Sequence, residues 1–125
     1  MMGMQMVAQE MDVAMLDELA GRELEAAVLN KAATLLEDVV GHWTEDAGHE
    51  LLDNALKYNQ TLWSVFQAEL MDGDNPLPPE LRQNILSLST FVDRRTFEVM
   101  AYPEPTKLDI LIKINRSLAD GLMAH

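Results

Sequence analysis

Apolar residues recur at three- and four-residue steps along four stretches of this 125-residue chain, and segments that carry glycine or proline separate the stretches. This spacing is the period of an amphipathic α-helix, whose apolar stripe faces a core. The stripes cover residues 21–41, 51–70, 79–101 and 108–122. The sequence has no alternating β pattern of useful length. It therefore predicts an all-α fold, a compact bundle of four to five amphipathic helices.

Two proline-bearing segments predict where helices end. Residues 72–79 contain three prolines, which remove backbone donors and favour extended conformations, so we expect a stiff loop after the second helix. Pro103 and Pro105 end the third helix in the same way. Thr106, followed three residues later by Asp109, has the form of a capping box. This pattern predicts that the Thr106 hydroxyl caps the fourth helix.

The charge balance argues against several partners. The chain has 9 Lys plus Arg against 21 Asp plus Glu, a formal charge of −12, and this excess of negative charge repels phosphate backbones. The sequence has no apolar run near the roughly 20 residues that span a bilayer. It has no Lys or Arg before Arg22, so the positive start of a signal peptide is missing. We expect a cytoplasmic protein that binds neither nucleic acid nor membranes directly.

The first 20 residues differ in composition from the rest. They contain six methionines and four acids, and they come before the first clear helical stripe. Met-rich surfaces can bind partners adaptably, but terminal segments are more often mobile. We therefore divide the chain into residues 1–20, a Met-rich acidic segment that is mobile or forms an extra helix, and residues 21–125, a helical domain.

Candidate catalytic and metal-binding patterns are incomplete. His49 begins a segment similar to the zinc-protease helix motif, but Asp53 stands where that motif needs its second histidine. The loop at Asp72 starts like a calcium-binding loop, but Leu77 stands where the turn glycine belongs. The chain has no cysteine, Gly-rich phosphate loop or nucleophile elbow. We expect no metal, no cofactor, no catalytic residue and no enzymatic activity.

Several polar residues occur where the helical pattern calls for apolar ones. Asn59 and Asn115 lie on apolar stripes, so each either hydrogen-bonds inside the bundle or faces a groove that is open to a partner. Arg82, Arg94 and Arg95 form a local basic cluster on the third helix. We expect these arginines to pair with carboxylates on neighbouring helices.

Three motifs in a fixed order resemble a known family. They are the run Leu62-Trp63-Ser64-Val65-Phe66, the turn Asn75-Pro76-Leu77-Pro78-Pro79-Glu80-Leu81-Arg82, and the final Leu111-Ile112-Lys113-Ile114-Asn115. Together they resemble the FlaF family of flagellar biosynthesis regulators over about residues 22–123. The resemblance implies a cytoplasmic protein that promotes flagellin production. The implied mechanism is either that of a flagellin-dedicated secretion chaperone or that of a partner of FlbT, a regulator of flagellin mRNA translation.

The residues favour the chaperone among these mechanisms. A small acidic bundle can hold an amphipathic helix in an apolar groove, whereas direct mRNA binding needs a phosphate-neutralising surface. We therefore predict that the protein binds flagellin through its amphipathic helical termini. The alternatives are a translational regulator that acts through a protein partner such as FlbT, and an unrelated helical adaptor. The residues predicted to form the partner groove or its framework are Trp63, Phe66, Leu77, Leu81, Arg82 and Asn115.

Overall fold

A computed structural model describes residues 18–44 and 49–124, and in these residues it contains four α-helices and no strand. The helices are α1 (Glu18–Gly41), α2 (His49–Met71), α3 (Pro79–Ala101) and α4 (Asp109–Met123), and a short 3₁₀ turn (Pro105–Leu108) precedes α4. The predicted all-α bundle is confirmed. The Met-rich segment lies outside the described residues, except for residues 18–20 at the start of α1.

Helix α1 is the centre of the bundle. It packs most extensively against α4 and next against α2, while α3 packs against α2 and touches the 3₁₀ turn. The α1 stripe is completely buried at Leu29, Ala32 and Leu36. The small alanine side chain leaves room for a neighbouring helix to approach, and the leucines fill the space above and below it. None of the described helices is long and apolar enough to cross a bilayer.

The core of α2 combines aromatic packing with a buried polar network. Trp63 has no exposed surface and meets the ring of Phe66 edge to face, with 5.7 Å between centroids. The Trp63 indole Nε1 donates to Asn115 Oδ1 at 3.0 Å, and Asn115 Nδ2 donates to Asn59 Oδ1 at 2.8 Å. The sequence left open whether these asparagines hydrogen-bond inside the bundle or face a groove that is open to a partner. The structure shows the internal hydrogen bonds. The network ties α2 to α4.

The loop between α2 and α3 folds back over the end of α2. Asn75 Nδ2 donates to the Glu69 carbonyl oxygen at 3.0 Å, and Asn75 Oδ1 accepts from the Leu77 backbone N–H at 3.0 Å. Asp72 Oδ1 accepts from the Asp74 backbone N–H at 3.0 Å. These side chains satisfy backbone groups of the loop and of the last turn of α2. Helix α3 then begins at Pro79, which needs no N–H partner in the first turn.

The predicted capping box at Thr106 is wrong. Thr106 lies inside the 3₁₀ turn, α4 begins at Asp109, and the N-cap position is Leu108 with no side-chain cap hydrogen bond. Pro105 fixes the backbone at the start of the turn, and the Asp109 N–H bonds to the Thr106 carbonyl oxygen. Because the turn supplies a backbone acceptor, the helix start does not need the threonine hydroxyl.

Arg116 joins α4 to α1 through a group of polar contacts. Its Nη1 donates to Asn30 Oδ1 at 2.9 Å and to the Asn30 carbonyl oxygen at 3.3 Å. Its Nη2 donates to Thr34 Oγ1 at 3.0 Å and pairs with the Glu37 carboxylate. The planar guanidinium thus contacts three residues on one face of α1, each about one helical turn from the next.

Candidate functional site

An apolar cavity of about 460 Å³ opens at one end of the bundle. It lies between the first turns of α1, the last turns of α2 and α4, the loop of residues 72–77, and Ile85 of α3. The apolar side chains of the lining are Phe66, Leu70, Pro76, Leu77, Ile85, Leu118 and Leu122. The polar side chains of the lining are Arg22, Glu25, Glu69, Asp72, Asp74 and Asn75.

Local structure fixes the apolar wall of this cavity. Phe66 is held by its edge contact with the buried Trp63. Leu77 is held because its own backbone N–H is bound by Asn75, whose amide is anchored on the end of α2. The wall therefore exists before any ligand binds, which lowers the ordering cost of binding.

Two glutamates give one side of the cavity an unusual electrostatic character. Glu69 Oε1 is buried and has no hydrogen-bond partner among the described residues. Burial, and after it the charge of Glu25, raises the pKa of Glu69 to about 7. Burial also raises the pKa of Glu25, while the Arg22 guanidinium acts in the opposite direction. This side of the cavity therefore favours either a proton or a bound cation.

Five of the six predicted site residues fall into three groups. Phe66 and Leu77 lie on the cavity wall. Trp63 and Asn115 are in the core, with 0% and 1% of their surface exposed, and they support the wall from behind. Leu81 is 45% exposed in the first turns of α3, outside the lining. The structure thus brings two of the six together at the cavity and places two in its framework.

The arginines of α3 do not all pair as predicted. Arg82, which completes the six, is half-buried and donates from Nη1 to the Asp72 carbonyl oxygen at 3.4 Å. Arg95 pairs with Glu98 on its own helix, with 3.2 Å between Nε and Oε2. Arg94 is exposed. The expectation of a partner on a neighbouring helix was wrong for Arg95, because Glu98 lies one turn along and is within reach first.

Comparison with family models matches residues 9–122 to the family described as flagellar protein FlaF. The chain belongs to the FlaF family. The match includes all of the cavity lining, and it extends closer to the start of the chain than the motifs that carried the resemblance. A search among curated proteins found no similar sequence, and a search among solved structures found no similar one.

The site residues predicted from the sequence of this FlaF-family chain did not include Glu25 and Glu69. Glu69 lies seven residues after Leu62 and three after Phe66, so it falls on the apolar stripe of α2. Glu25 lies four residues before Leu29, on the stripe of α1. An acid on an apolar stripe was the available signal, and in both cases it marks the cavity.

A second apolar surface of the FlaF-family chain lies at the end of α3. Phe97 is 62% exposed, Met100 47% and Tyr102 74%. The Lys107 ammonium lies 5.6 Å from the centre of the Tyr102 ring and donates to the Tyr102 carbonyl oxygen at 2.7 Å. None of these side chains lines the cavity at the other site.

Proposed function

We propose that this FlaF-family protein is a non-catalytic cytoplasmic chaperone. It binds the amphipathic helical termini of flagellin and so promotes flagellin synthesis and secretion. The observation that carries the proposal is the open apolar cavity at the end of the bundle. Flagellin termini are helical and polymerise. A protein that masks one of them keeps the subunit from assembling before export.

The size and lining of the cavity suit side chains from a partner helix. Its volume of about 460 Å³ falls within the range of about 300–1,000 Å³ that is usual for binding pockets. Helix-in-groove recognition inserts apolar anchors spaced three or four residues apart. Phe66 and Leu77 offer apolar contact to such anchors from two different elements of the fold.

Burial of a few apolar anchors in the cavity can support a micromolar dissociation constant. Each large apolar side chain removed from water contributes about 1.5–3 kcal/mol. Several anchors together must also offset the entropy lost on association. A dissociation constant of about 1 μM, which corresponds to about −8 kcal/mol, is therefore a reasonable expectation.

The test is calorimetric titration of the protein with monomeric flagellin and with its isolated terminal segments. We expect 1:1 binding at micromolar affinity or tighter for one segment. Leu77→Ser, on the cavity wall, should weaken this binding at least tenfold. Leu51→Ser is the matched control, because Leu51 is 47% exposed on α2 and is not part of the lining.

Two results would count against the proposal. Absence of binding by flagellin and by all of its segments would overturn it. The next experiment would then be a search for a stable complex with FlbT, as a translational role through a protein partner predicts. Equal weakening by the two leucine variants would remove the cavity from the mechanism.

A further inference from the structure

We propose that the cavity selects a partner helix by a lysine or arginine placed beside its apolar anchor, and that the Glu69 carboxylate, next to Glu25, receives this cation. The inference rests on the proposed function and adds the charge specificity of the same site. It commits to one occupant, a helix of another protein with an apolar side chain and a basic side chain on the same face.

The unsatisfied oxygen of Glu69 is the first reason. Its Oε1 is buried in the cavity wall and has no hydrogen-bond partner among the described residues. A buried acceptor without a partner is unfavourable, and more so when it is charged. The N–H groups of a lysine or arginine would satisfy this oxygen with a charge-assisted hydrogen bond.

The charge balance of the lining is the second reason. Among the described residues, four carboxylates line the cavity, those of Glu25, Glu69, Asp72 and Asp74, against the guanidinium of Arg22. The Arg22 charge acts on Glu25, where it partly offsets the rise in pKa that burial causes. The remaining excess is negative, and it complements a basic side chain and repels an acidic one.

The apolar lining decides between a free cation and a helix. Seven apolar side chains line the cavity beside the carboxylates. A small hydrated cation would leave this apolar surface in contact with water, whereas a helix covers it with an anchor. Residues three or four positions apart are neighbours on a helix, with about 5–6 Å between their Cβ atoms. The basic residue of the partner therefore lies three or four positions from its anchor.

The test uses the flagellin terminal segment that binds in the calorimetric titration. Each lysine and arginine of this segment is replaced singly by glutamine. Every segment variant is titrated against three forms of the protein: the natural protein, the Glu69→Gln variant and the Glu23→Gln variant. Glu23 is the matched control, since it is exposed on α1 and does not line the cavity. Thermal unfolding of each protein variant shows that it is folded before binding is measured.

The expected result is a specific coupling between two charges. Glu69→Gln should weaken binding of the natural segment about tenfold, and Glu23→Gln should leave it unchanged. One basic residue three or four positions from an apolar residue should show the same tenfold loss with the natural protein. Its replacement should cause no further loss with Glu69→Gln, because the two changes remove one interaction.

The outcomes separate this inference from the proposed function. If the natural segment binds equally well to the natural protein and to Glu69→Gln, the inference is overturned and the apolar docking stands. If no segment binds the natural protein, the proposed function itself fails. A sedimentation measurement that finds a dimer of the protein, broken by Leu77→Ser, would assign the cavity to a second copy and overturn the inference as well.

Discussion

The indole N–H of Trp63 on α2 donates to the side-chain oxygen of Asn115 on α4, 52 positions along the chain, at 3.0 Å. Because an indole N–H can only donate, this contact fixes which end of the Asn115 amide is the oxygen. The amide nitrogen is then directed at Asn59 Oδ1. One asparagine thus determines how two helices meet, by using both ends of its side chain.

Asn115→Ala should therefore destabilise the fold strongly. The substitution leaves the buried Trp63 N–H and Asn59 Oδ1 without their partner and opens a small void, which together cost about 2–4 kcal/mol. Urea unfolding followed by circular dichroism measures the loss. Asn54→Ala is the control, because Asn54 is exposed on α2 and its replacement should change stability by less than about 0.5 kcal/mol. Equal losses for the two variants would contradict the role assigned to the network.

Two phenylalanines should respond very differently to the same substitution. Phe66 is 7% exposed and lies against Trp63, so Phe66→Ala should cost about 3–5 kcal/mol. Phe97 is 62% exposed on α3, so Phe97→Ala should cost less than about 1 kcal/mol. Chemical denaturation of both variants gives the comparison. A large loss at Phe97 would mean that the exposed face of α3 is covered in solution.

Arg116→Lys should loosen α4 from α1 although it keeps the charge. A lysine cannot reproduce the fork that reaches Asn30 and Thr34 together, so we expect a loss of about 1 kcal/mol. The figure is modest because the Arg116 side chain is 36% exposed. Arg94→Lys, at an exposed position of α3, is the control and should be neutral. The prediction fails if thermal unfolding gives the two variants the same midpoint.

Glu69→Gln should stabilise the protein more at pH 8 than at pH 5. The pKa of Glu69 rises from an ordinary value of 4.5 to about 7 on folding, so between these values the folded state binds more protons than the unfolded state. Stability conferred by the neutral carboxyl is therefore lost as the pH rises from 4.5 to 7. After allowance for solvent screening, the advantage of Glu69→Gln should grow by about 1 kcal/mol.

The control for this pH dependence is Glu23→Gln, because Glu23 is exposed on α1 and does not line the cavity. Among the described residues, the charged groups that line the cavity with Glu69 are Glu25 and Arg22 of α1 and Asp72 and Asp74 of the loop. If the stability difference between Glu69→Gln and the natural protein shrinks with rising pH, this result would contradict the raised pKa of Glu69.

Binding of the basic helix should release protons near pH 7. A cation at Glu69 favours the charged carboxylate and lowers its pKa, so affinity should rise up to about tenfold from pH 6 to pH 8. Calorimetry in two buffers with different ionisation enthalpies counts the released protons. Glu69→Gln should abolish both effects. Proton uptake by the natural protein would be the opposite of what this site predicts.

The helices were predictable from the sequence because each stripe repeats over four or more turns. The start of α3 at Pro79 follows from proline chemistry alone. The start of α4 did not follow from Thr106. Both a capping box and a 3₁₀ turn that begins at Pro105 fit this segment, and the structure contains the turn. The local sequence pattern does not show whether a side-chain cap or a 3₁₀ turn satisfies the backbone N–H groups at this helix start.

The cavity was harder to predict because similar signals have different outcomes. Asn115 and Glu69 are both polar residues on apolar stripes. Asn115 hydrogen-bonds with Asn59 and Trp63 and becomes core, whereas Glu69 lies at the open cavity, where its Oε1 has no hydrogen-bond partner among the described residues. The difference lies in what other helices bring opposite each position, and spacing along one helix does not contain that information.

The extensive packing of α1 against α4 affects how the chain is made. α1 leaves the ribosome first and α4 last of the four described helices, so the main partner of α1 does not exist while α2 and α3 are being synthesised. The stripe of α1 then has only α2 to cover it during translation. Contacts between such distant segments form late and slowly. We expect a nascent chain without α4 to be a substrate for general chaperones, and the complete bundle to form only after α4 has emerged.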